Sequence, residues 1–328
     1  MPHASRRRDP AGWAPVASLV MCVLLSMVYL TGPWFLDPIT VWPFWLWTAF
    51  GLVVAVPGLF GHRRRFAAAA IAWLVATAII AEEPRFLLRG MLGGSAEHAR
   101  PDAITVVTVN CAGGQIEALR DALALDPDII GVQERRGEEE MNELLAAHGH
   151  WQVAVGIDTA VCARGLLETV ELHKHLGHYM KFATVRPERF PDLPPITVFS
   201  VHLNLPVLRW DLWRPSVWRQ ALHVRHVREE SVRLLMIKMR EPLQAGPVIL
   251  TGDFNTPGQD SLLDPLRGEL ADAFVDAGSG WPDSVTADHP MSRIDGIWSS
   301  DELQATSARA VYTPHSDHRM VVARLAAR

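Results

Sequence analysis

Val248-Ile249-Leu250-Thr251-Gly252-Asp253-Phe254-Asn255-Thr256-Pro257 is the stretch on which the reading of the fold turns. A short apolar run with β-branched residues reads as a buried strand. The run breaks at Gly252 and delivers Asp253 and Asn255, two residues apart. On an extended segment such residues point the same way, so carboxylate and amide face one site. A core strand gains nothing by ending in an acid, because an unpaired buried carboxylate is costly. Taken alone, the stretch is equally well a turn capped by Asp and Asn. The rest of the chain decides between the two readings.

Residues 104–109 read as a strand that Asn110 ends, and residues 129–133 as a strand that ends at Glu134. Residues 196–201 form another, ended by His202. A strand around 294–298 carries Asp295, and Ser316-Asp317-His318 stands just before the apolar Met320-Val321-Val322. Helical spacing covers 115–125, 138–148 and 216–240, and residues near Val153, 160–164 and 180–186 look like further, antiparallel strands. Strand ends along one sheet edge are close in space even when remote in sequence. Asp, Glu, Asn and His gathered there make a hard-oxygen metal site with a histidine beside it. Mg²⁺ or Mn²⁺ suits such ligands, and either ion polarises a phosphoryl oxygen and stabilises an activated water.

With these residues in place the chain resembles the endonuclease/exonuclease/phosphatase superfamily, which also holds neutral sphingomyelinases and inositol-polyphosphate 5-phosphatases. The matching motifs are Val109-Asn110, Gln133-Glu134, Val201-His202-Leu203, Gly252-Asp253-Phe254-Asn255, Arg293-Ile294-Asp295 and Ser316-Asp317-His318. Each alone is common; six in the family's order are specific. The resemblance implies an α/β fold, a four-layer α/β sandwich of two packed mixed sheets flanked by helices. It also implies metal-dependent phosphoester hydrolysis. By resemblance, Glu134 holds the divalent cation with Asn110 and Asp317 close to it. Asp253 orients or deprotonates the attacking water, and Asn255 contacts the phosphate. His318 hydrogen-bonds a phosphoryl oxygen with Asp295 on its other nitrogen, and His202 binds a phosphate oxygen. Whether Asp253 or the Asp295–His318 pair is the base stays open. One segment departs from the family: Cys162-Ala163-Arg164 stands where many relatives carry a small-hydroxyl pair.

Ahead of this domain the composition changes. Apolar runs cover residues 13–30, 39–60 and 66–81, close to the ~17–25 residues that cross a bilayer. Arg6-Arg7-Arg8 and His62-Arg63-Arg64-Arg65 flank them, and Trp34, Trp42, Trp45 and Trp47 suit an interfacial belt. Three transmembrane helices therefore precede the sandwich. The expected division is a membrane anchor over 1–90, a linker over 91–103 and the catalytic domain over 104–328. Basic blocks mark the cytoplasmic side, which places the catalytic domain outside the cytoplasm on a multi-pass plasma-membrane protein. The third run is the shortest; as an interfacial helix it would reverse that placement. A cleaved signal peptide is the rival reading of the N-terminus, but no small-residue cleavage pattern follows cleanly before Thr31.

Residues 100–328 carry 23 Lys and Arg against 31 Asp and Glu, a balance that weighs against nucleic acid as the main partner. Three cysteines, Cys22, Cys111 and Cys162, lack zinc-ligand spacing. His173, His175 and His178 are read as surface histidines, Glu138 to Glu140 as a solvated helix start, and His223 and His226 as helix residues without chemistry. The segment after His202 is distinctive: Arg209, Trp210, Trp213, Arg214, Trp218 and Arg219 alternate aromatic and basic character. It either buries itself in the core or meets a membrane interface and anionic headgroups. The second reading makes Trp210, Trp213, Arg209 and Arg214 substrate contacts. The partners expected are the lipid bilayer and a phosphorylated lipid substrate, with no protein partner. In layout the chain is similar to three-span bacterial members of the superfamily that act on undecaprenyl pyrophosphate, recycle the cell-wall carrier and affect glycopeptide resistance. An anchored nuclease and a sphingomyelinase-like phosphodiesterase are the alternatives.

Overall fold

Apolar β-branched runs become strands, and the amphipathic stretches between them become helices. A computed structural model describes residues 10–93, 102–170 and 179–328. The chain divides into two units, Met1–Arg85 and Phe86–Arg328.

The first unit holds α1 (Pro10–Thr31), α2 (Asp37–Thr40), α3 (Phe44–Ala55) and α4 (Arg63–Ile80). Several of its polar side chains turn inward. Trp73 is fully buried and donates from Nε1 to Ser18 Oγ at 3.0 Å, while Ser18 donates to the carbonyl of Gly51 at 2.7 Å. A Cβ on Gly51 would fall 2.1 Å from the Trp73 ring, so only glycine permits this approach. Thr48 and Thr77 share a hydrogen bond of 2.6 Å. Small residues and interhelical hydrogen bonds are the means by which helices associate where no water competes. Only Ala11–Thr31, among the described residues, is by itself long and apolar enough to cross a membrane. The second and third apolar runs fall in helix pairs bent by 68° and 75°, so up to three spans form if each bent run counts as one. Pro43, just before α3, has no N–H for a helix to continue through, and Ala81 ends α4 in an extended conformation.

Helix α5 (Glu83–Met91) crosses the unit boundary. Phe86 is completely buried in the core of the second unit, which therefore begins inside the stretch expected to be anchor. An aromatic side chain among charged neighbours in Glu83-Pro84-Arg85-Phe86 has no long apolar run to signal its burial.

The second unit runs β1 (Ala103–Asn110), α6 (Ile116–Leu123), β2 (Ile129–Gln133), α7 (Glu138–Ala146), β3 (Trp151–Val155), β4 (Ala160–Thr169), β5 (Met180–Pro187) and β6 (Ile196–His202). It continues with α8 (Pro215–Ala245), β7 (Val248–Asp253), α9 (Asp264–Arg267), β8 (Ala271–Asp272), α10 (Ala273–Ala277), β9 (Asp295–Ser299), β10 (Leu303–Val311) and β11 (Met320–Ala327). The strand order is β10-β11-β1-β2-β4-β5-β6-β7-β9-β8, with β3 on β4. Only β1–β2 and β6–β7 are parallel among the described pairs. In place of two separate sheets there is one mixed sheet folded on itself. The first half of β4 pairs with β2 and the second half with β5. Gly165 makes the transfer at φ +129°, where a Cβ would lie 2.3 Å from the Arg186 carbonyl oxygen.

Three cores follow from this folding. One, with Ile104, Ile129, Val161, Val198, Ile249 and Val321, lies between the two halves of the sheet. A second packs α6 and α7 on the half that carries β1 and β2. The third packs α8 and α9 on the half that carries β6 and β7. The layers are therefore helix, sheet, sheet, helix. Between the halves, the apolar core gives way to a buried polar layer. Thr108 donates to Gln133 Oε1 at 3.1 Å, Gln133 donates to Ser200 Oγ at 2.9 Å, and Ser200 donates to the Val132 carbonyl at 2.9 Å. A fully bonded polar layer is tolerated inside a protein, and it fixes register between the halves. The strand ends lie beyond it.

Candidate active site

Asp253 is the last residue of β7 and 1% exposed. Gly252 does not break the strand, as the sequence suggested. It pairs within the sheet, where a Cβ would lie 2.3 Å from the Val201 carbonyl oxygen. Nor does simple alternation bring Asp253 and Asn255 together. Asn255 adopts φ +48°, and its N–H donates to Asp253 Oδ1 at 2.8 Å. This side-chain-to-backbone turn stabilises a left-handed conformation that asparagine tolerates well. The Asn255 amide donates to the Leu203 carbonyl at 2.8 Å, so one of its N–H bonds is structural. Its carbonyl accepts from the buried Arg228 of α8 at 2.7 Å.

Every strand end expected at the site lies at this edge. Asn110 closes β1 and donates from Nδ2 to Asp253 Oδ2 and to Glu134 Oε1, each at 3.1 Å. Glu134, one residue beyond β2 at φ +48°, also accepts from the Gly113 N–H at 2.6 Å. The loop before β11 joins through Ser316, which donates to the Asn110 carbonyl at 2.7 Å. Asp317 next to it is exposed. His318 is buried, with Nδ1 2.8 Å from Asp295 Oδ2 and 3.8 Å from Asp253 Oδ2. His202 approaches from the opposite side, its Nε2 3.6 Å from Asp253 Oδ2.

Sequence reasoning missed Asp158. It lies in the turn between β3 and β4, and its Oδ2 stands 2.5 Å from His202 Nδ1. Two carboxylate–imidazole pairs therefore flank one buried carboxylate. Each pair bridges the halves of the sheet: His318 precedes β11 and meets Asp295 of β9, and His202 of β6 meets Asp158. The only signal available was position, since a turn between two antiparallel strands, Gly156-Ile157-Asp158-Thr159, must sit at one sheet edge.

The charges tune one another. Burial raises the Asp253 pKa and the neighbouring Asp295 carboxylate adds to it; His318 and His202 act the other way, and the value settles at about 7. Burial lowers that of His318, yet Asp295, Asp253 and Asp317 outweigh it and raise it to about 10. For His202 burial is likewise outweighed, by the Asp158 hydrogen bond and the charges of Asp253, Asp158 and Glu134, so its pKa is raised.

The donor set fits a hard divalent cation. Asp253, Asp295 and His318 lie close enough to surround an ion, and the buried Oδ1 of Asp295 has no hydrogen-bond partner among the described residues. The His318 nitrogen facing Asp295 donates a proton there, so it has no lone pair for a metal. Glu134, bonded to Asn110, is partly open to solvent, and Asp317 is an exposed carboxylate one residue before His318. Oxygen ligands of this kind, open to water on one side, suit Mg²⁺ or Mn²⁺.

The aromatic-basic segment lies outside this cluster. Trp210 and Trp213 are 59% and 81% exposed, which removes the core-burial reading for both. Arg209 forms a two-point ion pair with Asp211, at 2.8 and 2.6 Å, and Arg214 approaches the same carboxylate at 3.4 Å. The arginines expected to bind substrate thus already share one acid. Glu138, Glu139 and Glu140 form the exposed first turn of α7, and His223 and His226 are exposed on α8. Cys111 and Cys162 are free and buried. His173, His175 and His178 lie outside the described residues.

Comparison with known proteins agrees with the fold. A model of the endonuclease/exonuclease/phosphatase family matches residues 107–318. A search of curated protein sequences found no match. Among solved structures, an endonuclease/exonuclease/phosphatase family protein from Bacteroides thetaiotaomicron superposes with a TM-score of 0.54 at 17% identity, covering 68% of this chain and 97% of its own. A functionally unknown conserved protein from Enterococcus faecalis V583 gives 0.53 at 13% identity, covering 69% and 100%. A mannosyl-6-phosphatase of Bacteroides thetaiotaomicron VPI-5482 gives 0.50 at 18% identity, covering 68% and 99%.

Proposed function

This chain belongs to the endonuclease/exonuclease/phosphatase family and is a metal-dependent hydrolase of phosphate bonds; we propose that it acts on a phosphorylated membrane lipid. The observation that carries the lipid reading is the loop that starts one residue past His202. Leu205, Leu208, Trp210 and Trp213 are 67%, 51%, 59% and 81% exposed on it. Large apolar side chains gathered on one loop mark an interaction surface rather than ordinary solvent exposure. Trp suits the headgroup level of a bilayer, and the loop leads straight into the site because Leu203 bonds to both Asp253 and Asn255. With Arg209 and Arg214 tied to Asp211, the basic charge on the loop is partly neutralised, which lowers the cost of entering an interface.

In this reading ionised Asp253 takes the proton of the attacking water; a pKa of about 7 suits a general base at neutral pH. Protonated His318 and His202 donate to phosphoryl oxygens from opposite sides, and Asn255 orients the phosphate. Asn110, Glu134 and Asp317 hold Mg²⁺, which when bound polarises the phosphoryl oxygen. The chain crosses the plasma membrane three times, through α1, the bent stretch that ends with α3, and α4, with the catalytic unit outside the cytoplasm. Anchoring raises the effective concentration of the site at a membrane-borne substrate. A polyprenyl pyrophosphate of the undecaprenyl type is the substrate we infer.

The test is phosphate release by full-length protein in lipid nanodiscs containing a polyprenyl pyrophosphate, with supercoiled DNA and sphingomyelin in parallel reactions. Mg²⁺-dependent release that Asp253→Ala abolishes, with DNA intact, is the expected result. Nicked DNA without lipid turnover overturns the lipid reading and makes the Trp-rich loop a base-stacking surface. Cleavage of sphingomyelin alone moves the substrate to a phosphodiester.

A further inference from the structure

We propose that the segment Phe86–Met91, at the end of the stretch that precedes the catalytic strands in sequence, is a positioning element for Asp295. This rests on the reading of Asp295 as the residue that orients His318 for hydrolysis. Phe86 is fully buried, its ring 5.0 Å from that of Phe274 at an angle of 69°. Arg89 donates to the carbonyls of Gly278 and Val275 at 3.0 and 3.1 Å. The Phe86 carbonyl in turn accepts from the Gly280 N–H at 3.2 Å. A Cβ on Gly90 would come within 3.1 Å of the Gly280 nitrogen, so the helix lies directly on the chain there.

Two short paths lead from this contact to the site. In the first, the buried Arg293 guanidinium lies over the rings of Phe86 and Phe274, at 6.0 and 5.7 Å, and pairs with Asp272 at 2.8 Å. Arg293 stands two residues before Asp295. In the second, Gly280 stands four residues before Ser284, whose Oγ accepts the Asp295 and Ile294 N–H bonds at 3.1 and 3.2 Å. Ser284 also accepts, through its carbonyl, the Arg319 N–H beside His318 at 2.7 Å. Both paths converge on the start of β9 and leave the Asn110–Glu134 side untouched. Removing the Phe86 ring takes away one face of the platform under Arg293 and loosens the loop that Ser284 anchors. The consequence is local: Asp295 loses alignment, while the polar layer under Glu134 does not.

The test compares full-length Phe86→Ala, Phe86→Leu and Arg89→Ala with the parent protein. Hydrogen exchange is followed at residues 280–295 and, as reference, at 106–110 and 129–133. The expected result for Phe86→Ala is exchange at least tenfold faster in 280–295 and unchanged in the reference strands. Phe86→Leu restores most of the protection. On whichever phosphate substrate the parent cleaves, kcat falls about tenfold while KM stays within twofold. Should Phe86→Ala not fold, Arg89→Ala carries the test, with a smaller rise confined to the same residues. Faster exchange spread evenly over the sheet means a merely structural role and overturns the proposal, as does unchanged exchange. If the parent cleaves no phosphate ester or anhydride, the functional reading fails, and the exchange pattern alone decides whether the segment holds Asp295.

Discussion

His318 and His202 approach Asp253 from opposite sides, and the two imidazoles are held differently. His318 is 8% exposed and its partner Asp295 is 2% exposed. His202 is half-buried and pairs with Asp158, a turn residue exposed to a similar or greater degree. The chemistry of the pairs is the same, but the surroundings separate their energetics. A buried pair is costly to break, because the surviving charge stays in a poor solvent. A pair open to water loses little when one partner goes, since water replaces it. The site thus carries one rigid arm and one soft arm around a shared carboxylate.

The largest effect lies where both arms meet. Asp253→Asn removes the acceptor for the water proton and keeps the shape, and general-base catalysis contributes about 10²–10⁴-fold. A loss of that order in kcat, with Mg²⁺ affinity retained in titration, is expected. A variant that keeps a tenth of the parent rate would move the base to the Asp295–His318 pair and make the two arms unequal in kind.

Asp295→Asn strikes the rigid arm and comes next, at about 10²-fold in kcat, comparable to loss of one oriented donor at a transition state. It also sharpens the comparison through pH. In the parent, kcat/KM should rise as Asp253 ionises near pH 7 and fall as His318 loses its proton near pH 10. Asp295 is the largest of the influences holding the His318 value up, so its loss moves the alkaline limb to lower pH. The acid limb moves down as well, because Asp295 also raises Asp253. A pH–rate series on both proteins reads the two limbs. An alkaline limb that stays in place would show that His318 does not need its buried partner.

Which arm could be read from the sequence follows from how each is built. Asn110, Glu134, His202 and Asp253 were visible because each ends a run of apolar, β-branched residues, and a polar group there has no packing role. Asp295 and His318 were visible through the Arg-Ile-Asp and Ser-Asp-His motifs. Asp158 stands two residues after a glycine in a four-residue turn and ends no such run, so half of the soft arm stayed hidden. Similar reasons hid parts of the fold. Strand β10 alternates small residues, is interrupted by an irregularity between Ala305 and Ser307, and has no apolar run. The bend of the sheet through β4 rests on the single Gly165, and burial of Phe86 depends on Phe274, nearly two hundred residues away. Tertiary partners decide these features, and local pattern does not contain them.

Asp158→Asn tests the soft arm and should have the smallest effect. The amide still reaches His202 Nδ1, but without charge, so the His202 pKa falls toward its ordinary value. Because the site has water access and Asp253 and Glu134 still favour the protonated ring, kcat at pH 7 should drop only about threefold to tenfold, below the loss of a full acid–base group. The linked stability change has a definite sign. A histidine whose folded pKa is raised stabilises the fold fully at pH values below its unfolded value, about 6.5, and loses that contribution as pH climbs through the folded value. The parent should therefore melt above Asp158→Asn at pH 6 and converge with it at pH 9. The gap at pH 6 should correspond to about 1 kcal/mol or less, after discounting for solvent around Asp158, and about 2–4 °C per kcal/mol in a domain of this size. A gap that is larger at pH 9 than at pH 6 would mean that Asp158 supports the turn rather than the imidazolium, and the likeness between the two arms would then be one of geometry alone.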